Sequence, residues 1–516
     1  MLLACIAAYA ALAARKLGES SAAPTSFIHT RFPTLGNLLF DAGLGPMTLA
    51  DLFLRGLPPP PPPLRWGERP WLVIESAALA LTLRRASRTG SRLDREAFAL
   101  LSSFPAFLIR SLARARWRQT FGSRRMGAVE KAQSPAAIEV RPVSNKKEQE
   151  VFLHVPWTLG AKKDPNWIPP LLDDYRRSLD PKKSPFLQHG EIQCFVAFES
   201  GAPVGRISAH LDRDFDKQWP EEKGVAFFGF FDSKDDPVVA RALFSAAEAW
   251  AKSKGRTRIR GPFTLDSKGE VGVLIDGYDT PPRIGMPHNW PYVGPLVEGA
   301  GYAKAKDFFA WWYTSGQVDE RTRRIAERTL KLPNVRVRPM DLKEFRREVD
   351  IVRDIYNSAW NQNWNFTPFT AEELAIIAVE YKMFIDTEIA LVAEVDGKPA
   401  AMCFAIPDVN ELTRDFDGEL MRRPLNLLRL LWRLKFRRPK HARLVLLGVK
   451  EEFRASHKYG TLAAVLYVEV ATRGAKRGYV GGELGWTLED NVMINRGIER
   501  MGAKKYKTYR VYEKAI

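Results

Sequence analysis

The sequence predicts an α/β (α+β) chain built from two tandem copies of one unit, each a mixed twisted sheet flanked by helices. Three observations predict it. Short β-branched or aromatic runs alternate with segments whose apolar residues recur every 3.6 positions. Motifs recur in the same order at nearly constant spacing, the signature of an internal duplication. The stretch from Arg443 to Gly502 reads strand, basic turn, helix, strand, helix, an arrangement suited to a phosphorylated ligand.

The first copy opens at Ile138–Pro142, a strand, followed by a helix through Gln149 and Phe152 and an irregular aromatic and proline loop, 164–170. Residues 192–198 and 204–211 alternate like strands around Ser200-Gly201. Ala226–Phe231 is a buried strand, Pro237–Lys252 a helix with Leu243, Ala246, Ala247 and Trp250 on one face, and Thr257–Phe263 a strand. In the second copy Leu444–Val449 is a buried strand. Thr461–Arg473 is a helix with Leu462, Val465, Leu466 and Val470 on one face, and Tyr479–Leu488 is another strand.

The repeat is legible in three places. Val140-Arg141-Pro142 returns 197 residues later as Val337-Arg338-Pro339. The hairpin marked by Ala197, Gly201, Pro203 and Ala209 returns 196 residues later as Ala393, Gly397, Pro399 and Ala405. Glu298, Gly301, Lys306 and Phe308 return 201 residues later as Glu499, Gly502, Lys507 and Tyr509. The expected domains are therefore 138–313 and 333–516, with the polar segment 314–332 crossing between them.

Composition bounds the function. The formal charge is +18, but residues 1–125 hold 16 Arg, one Lys and seven acidic residues, while the rest of the chain holds 61 basic against 53 acidic residues. Most of the basic excess sits in a Pro- and Arg-rich quarter that includes six consecutive prolines, Pro58–Pro63. The preferred reading is that 1–125 is no part of the working protein and that Met126 is the natural start. The alternative is a disordered or membrane-touching extension. Cys5, Cys194 and Cys403 lie far apart and make neither a disulfide framework nor a metal knuckle. A reducing compartment and no metal are expected.

The order of elements resembles the GNAT (GCN5-related N-acetyltransferase-like) acyltransferase superfamily. That fold binds the pyrophosphate of an acyl-coenzyme A in the turn after its fourth strand through Arg/Gln-x-x-Gly-x-Gly/Ala. The matching residues here are His457-Lys458-Tyr459-Gly460-Thr461-Leu462. The glycine fits; the first and last positions depart from the pattern. In the last helix Asn491 and Gly502 match family positions, whereas Ile498 stands where many members carry the tyrosine that protonates the leaving thiolate. The first copy has Asp232-Ser-Lys-Asp-Asp-Pro237 at its own turn, and three carboxylates there would repel a pyrophosphate. The segments 287–292 and 356–364 are also similar to a bacterial tandem-GNAT group to which ceramide synthases, acyl-coenzyme A-dependent N-acyltransferases of sphingoid bases, are related.

The resemblance implies one cofactor site, in the second copy. It implies acyl-CoA as co-substrate, held by Val449, Arg454, His457, Gly460, Thr461, Asn491 and Asn495. Backbone N–H groups near Val449 would stabilise the oxyanion, worth about 3–4 kcal/mol of barrier. Glu483, among apolar neighbours in the strand opposite, is the candidate base; the plain alternative is a solvent-facing Glu on an edge strand. Tyr509 could replace the acid missing at Ile498, though its counterpart Phe308 argues for packing. Glu489-Asp490-Asn491 also reads as a helix cap, and His457 as a solvated loop residue. Trp360, Asn363 and Trp364, with His288 and Asn289, are candidates for the acceptor pocket; packing between the copies, or a rigid turn, explains them equally.

Residues 422–443 hold nine basic residues and no acidic one. Leu427, Leu430, Leu431 and Leu434 share one helical stripe and Arg429, Arg433 and Arg437 another. That pattern suits either an interfacial helix on an anionic membrane or a lid packed on its own domain. The expected function is acyl transfer from acyl-CoA to an amine, possible substrates including a membrane lipid or sphingoid base. The expected location is cytoplasmic, peripheral to the inner face of the membrane through 420–443. Two rivals stand beside it: a tandem-GNAT transferase using aminoacyl-tRNA, and a non-catalytic membrane-associated scaffold. Only Trp432 and Phe436 interleave the basic residues, which ranks nucleic acid lower.

Overall fold

A computed structural model describes residues 137–516. The expected N-terminal extension, 1–125, lies outside the described residues. The first half runs β1 (Ile138–Pro142), α1 (Lys146–Thr158), α2 (Leu172–Ser178), β2 (Gly190–Glu199), β3 (Ala202–Asp212), α3 (Arg213–Gln218), β4 (Val225–Ser233), α4 (Pro237–Ser253), β5 (Arg258–Gly261), β6 (Val273–Asp276), α5 (Val293–Gly299) and β7 (Ala303–Thr314). The second half runs α6 (Glu320–Leu330), β8 (Val335–Pro339), α7 (Phe345–Ala359), α8 (Ala371–Tyr381), β9 (Ala390–Val395), β10 (Lys398–Pro407), α9 (Asn410–Thr413) and α10 (Pro424–Phe436). It ends with β11 (His441–Val449), α11 (Glu451–Arg454), α12 (Leu462–Lys476), β12 (Gly481–Leu488), α13 (Val492–Arg500) and β13 (Lys504–Ala515).

All strands join one mixed sheet of 13, in the order β1-β2-β3-β4-β5-β13-β7-β12-β11-β10-β9-β8, with β6 added to β13. The duplicated motifs occupy equivalent places. The hairpin β2–β3 turns through Ser200 and Gly201, and β9–β10 turns through Asp396 and Gly397, all four with positive φ. That geometry matches the twist of a two-residue hairpin and favours Gly, Asn and Asp. Both halves carry an irregularity in the register of the next pair of strands, β3–β4 and β10–β11.

The last strands are exchanged. β7, which ends the first half, pairs with β12 of the second. β13, which ends the second half, pairs with β5 of the first. The two exchanged strands pair antiparallel with each other, with Phe308 opposite Tyr509. The segment expected only to cross between copies contains the helix α6, capped by the Asp319 side chain on the Thr322 N–H. Its buried Thr322, Ala326 and Thr329 mark the inward face, and the Thr329 hydroxyl bonds that of Thr461 at 2.8 Å.

Separate apolar clusters line the two faces of the sheet. In the first half α4 covers one face with Val239, Leu243 and Phe244, and α1 covers the other with Phe152, Leu153 and Val155. In the second half α12 covers one face with Leu462, Val465 and Leu466, and α7 the other with Ile351, Val352 and Ile355. A cluster of Phe308, Tyr509, Phe227, Phe263 and Leu274 draws on both halves.

Candidate active site

The register makes the two halves comparable residue by residue. β4 pairs parallel with β5 at Val225–Phe227 and Arg258–Arg260. β11 pairs parallel with β12 at His441–Leu444 and Gly481–Leu484. Beyond those points neighbouring strands separate in both halves, and the halves treat the separation differently.

In the first half the gap is filled. The chain turns after Gly261, and the Phe263 N–H bonds the Phe228 carbonyl at 2.8 Å. The Phe263 carbonyl then lies against β4: a Cβ on Gly229 would stand 1.9 Å from it. Val225–Phe231 are accordingly all buried. The turn beyond is also occupied. Asp236 caps α4 by accepting from the Val238 N–H, Lys234 bonds Glu199 at 2.7 Å, and Asp232 pairs with buried Arg206 at 2.7 Å. A carboxylate already holds the helix N-terminus that would attract a phosphate.

In the second half the gap is open. Val445, Leu446 and Leu447 are only half-buried although β11 is an interior strand, as are Gly485, Trp486 and Thr487 facing them on β12. Half-exposed residues in the middle of a sheet mark a notch. Its outer end meets the turn 450–461. There α12 begins at Leu462 with no side chain capping its N-terminus, because the Thr461 hydroxyl is turned to Thr329. The first N–H groups of such a helix have no intrahelical acceptor. His457, Lys458 and Gly460 are exposed on this turn. Gly460 is tightly placed: a Cβ would stand 2.9 Å from the Ser456 carbonyl. Arg454 donates to the Ala359 carbonyl at 3.2 Å, which ties the turn to the end of α7. Val449 is buried at this outer end, paired with Ala401 of β10.

Glu483 lies at the inner end of the notch. It is 0% exposed on a central strand, so the solvent-facing edge-strand alternative does not apply. Its Oε1 is 3.0 Å from Nε of Arg443, its register partner on β11, and the Tyr506 hydroxyl donates to its Oε2. Burial pushes the carboxyl up, against the opposing pull of Arg443 and the Tyr506 hydrogen bond. Arg443 also donates to the Ile284 carbonyl at 2.8 Å and the Gly485 carbonyl at 3.1 Å. By register the first-half counterparts of Arg443 and Glu483 are Phe227 and Arg260. The buried acid–base pair therefore exists in one half only. Arg443 and Tyr506 were not singled out from the sequence. A glutamate and an arginine 40 residues apart on different strands carry no local signal that they pair.

The remaining candidates separate. Tyr509 is fully buried in the cluster shared by both halves, and its hydroxyl has no hydrogen-bond partner among the described residues; burial raises it, and Glu483 adds to this. Ile498 is a core residue beside α12. Asn491 caps α13 through the Ile494 N–H. Asn495 accepts from the Thr487 hydroxyl at 2.6 Å and donates to the Leu488 carbonyl at 3.0 Å, so its amide braces β12 to α13. Trp360 packs against the notch strand, where a Cβ on Gly448 would stand 2.5 Å from its ring. Trp364 packs between halves, 6.0 Å from the Phe308 ring and 4.9 Å from the Arg260 guanidinium. Asn363 forms the turn between them, its N–H bonded to the Trp360 carbonyl. His288 and Asn289 are held by their own neighbours. His288 bonds Asp164 at 2.8 Å, and Asn289 clasps the backbone of Leu274 through both amide atoms.

A bacterial ceramide synthase of Caulobacter vibrioides is 40% identical to the chain over 385 residues, spanning 74% of this chain and 98% of the relative. The chain belongs to the family of that protein. Protein YghO of Escherichia coli is 38% identical over 380 residues, spanning 73% of this chain and 95% of the relative. Among solved structures, a tandem GNAT protein from the clavulanic acid biosynthesis pathway aligns with 73% of this chain and 98% of its own, at 14% identity and a TM-score of 0.44. No protein-family model matches the chain.

Proposed function

We propose that the chain is an acyl-coenzyme A-dependent N-acyltransferase whose acceptor is a long-chain lipid amine of the sphingoid-base type. One observation carries the reading: the notch between β11 and β12 is open, whereas its counterpart between β4 and β5 is filled by backbone. The family relation supports the reaction class, since one relative is named for making an amide of a lipid amine.

The diphosphate end of the cofactor belongs at the turn 456–461, where the uncapped start of α12 offers N–H donors and His457 and Lys458 add positive character. From Val449 back to Arg443 is six residues, about 20 Å of extended strand. An extended arm can lie along the edge of β11 that β12 leaves free, as an added strand does. The thioester then lies near Glu483, and we assign the oxyanion donors to backbone N–H groups of 445–447, inward of Val449. Glu483 takes a proton from the amine as nitrogen bonds the thioester carbon. The tetrahedral adduct expels the thiolate, and the Tyr509 hydroxyl, otherwise unpartnered, supplies the thiol proton and recovers one from Glu483. Amine and thioester thus become amide and free thiol, with no net change in the protein. Trp360, packed against Gly448, would line the apolar wall for the chains.

Isothermal titration of the full chain with coenzyme A tests the site; a stoichiometry of one per chain is expected, and no heat sinks the reading. Release of free thiol from long-chain acyl-coenzyme A, dependent on added sphingoid base, tests the reaction. Release with short polar amines alone would reject the lipid acceptor.

A further inference from the structure

The helix α10 (Pro424–Phe436) carries apolar residues on two sides, and only one side packs on the fold. Of the expected stripe, Leu430 is buried and Leu427 and Leu434 are half-buried, whereas Leu431 is exposed. Leu430 is buried with Val409, Leu412 and Phe416, and Leu434 packs against them. Arg429 and Arg433, on the neighbouring face, are tied to Asp415 and lie over the Phe416 ring. Their role is to fasten the helix down. The opposite face holds Leu425, Leu428, Leu431, Trp432 and Phe436, all exposed, with Leu428 at 61%, Trp432 at 58% and Phe436 at 64%. Residues 425, 428, 432 and 436 fall on one side at the helical repeat, and Met421, just before the helix, is exposed as well. A contiguous patch of this kind on a helix is costly in water and marks a contact surface.

The charges around it complete the pattern. Of the nine cations in 422–443, Arg422 pairs with Glu150, Arg429 and Arg433 with Asp415, and Arg443 with Glu483. Arg423, Lys435, Arg437, Arg438 and Lys440 have no carboxylate partner among the described residues. All five are exposed, and no acidic residue interrupts the segment. An exposed stripe of Leu, Trp and Phe flanked by free Lys and Arg has the chemistry of a helix lying in the headgroup layer of an anionic bilayer. Among the described residues no helix is long and apolar enough to cross a membrane, so the contact is with a surface.

We propose that the outward face of α10 is the docking site of the chain on an anionic lipid bilayer. The face also has a short connection to the candidate site. Ile284 packs in the small cluster beneath α10, and its carbonyl accepts from Arg443, the partner of Glu483. Ile284 and Arg443 thus link the underside of α10 to Glu483 at the inner end of the notch. The docking surface itself does not depend on the acyl-transfer reading.

The test is co-sedimentation of the full chain with vesicles of phosphatidylcholine alone and of phosphatidylcholine mixed with phosphatidylglycerol. Binding is expected to the mixed vesicles and to weaken steeply with added salt. Replacing Lys435, Arg437 and Arg438 together by Ala should weaken it by about a hundredfold, taking about fivefold per cation. The double substitution Leu428→Glu with Trp432→Glu should abolish it. All five side chains are exposed, so the thermal transition followed by circular dichroism should be unchanged, which separates loss of docking from loss of fold. Equal sedimentation of the Leu428→Glu/Trp432→Glu chain overturns the proposal, as does failure of the unsubstituted chain to bind mixed vesicles at low salt. Tighter binding to RNA than to mixed vesicles, lost in the triple Ala variant, would also overturn it by assigning the surface to nucleic acid.

Discussion

Phe308 and Tyr509 face each other across the ladder between β7 and β13, and they are the same position in the two copies, 201 residues apart. Two equivalent residues can be opposite neighbours in an antiparallel pair only where a pseudo-two-fold axis passes between them. The axis relates β5 beside β13 to β12 beside β7. Each copy is completed by the other's last strand, as in a swapped dimer joined into one chain.

This exchange predicts that the copies are not separable. A chain ending at Gly502 lacks β13 and leaves β5, β6 and β7 without their central neighbour. It should lose the cooperative thermal transition of both halves, not of the second alone. Fragments cut within 315–319 should be unfolded or aggregated singly and give a stable complex when coexpressed, read by size-exclusion chromatography and circular dichroism.

Gly460 predicts the behaviour of the cofactor turn. Gly460→Asp places a Cβ against the Ser456 carbonyl and a negative charge beside the start of α12. Affinity for coenzyme A should fall severalfold or more, since the carboxylate competes with phosphate for the helix N-terminus, an effect of about 0.3–1 kcal/mol, and steric displacement adds to it. Asp236→Ala in the first half should leave the stoichiometry at one, because Phe263 still fills that gap; titration calorimetry reads both.

Glu483→Gln should lower kcat by about 10²–10⁴ with little change in coenzyme A affinity, the range for a positioned base. The pH profile gives a finer check. A base acts when deprotonated, so activity should fall as pH drops through its pKa. Burial raises Glu483, while Arg443 and Tyr506 hold it down. Arg443→Met and Tyr506→Phe should each move the acid limb of kcat/KM to higher pH. Arg443→Met should also cost about 3–5 kcal/mol of stability, because it leaves a buried carboxylate unpaired. Tyr509→Phe should reduce kcat without shifting that limb; unchanged kcat would return Tyr509 to a packing role.

His189 predicts a loosening at alkaline pH. It bonds Asp212 of its own half at 3.1 Å and Glu373 of the other at 2.9 Å. Burial works against its charge, but the two carboxylates win and hold the imidazolium up to about 10, from an unfolded value of about 6.5. The stabilisation is therefore complete below about pH 6.5 and is lost as pH rises through about 10. Thermal unfolding of the unsubstituted chain and of His189→Gln should differ most just below pH 6.5 and converge on approaching pH 10.

Periodicity, turn chemistry and duplication were local enough to be read without coordinates. The strands, the major helices, the positive-φ hairpins at Gly201 and Gly397, and the acidic turn of the first copy follow from spacings within about 20 residues. So does the placement of Glu483 in a strand of apolar neighbours. Other features depend on which strands become neighbours, and no local pattern encodes that. Swapping β7 and β13 leaves every local pattern untouched. The pairing of Glu483 with Arg443 and Tyr506 joins three elements, and the backbone at Phe263 closes one notch while nothing among the described residues closes the other. The helix α10 makes the same point. Its composition marked it as amphipathic, but the one apolar stripe read from the sequence divides in the structure, with Leu430 buried and Leu431 exposed. Only the packing of Leu430 on Phe416, with Asp415 holding Arg429 and Arg433, decided which side faces inward. Burial is a property of the assembled surface, so the exposed stripe could be identified only once the other had found its partners.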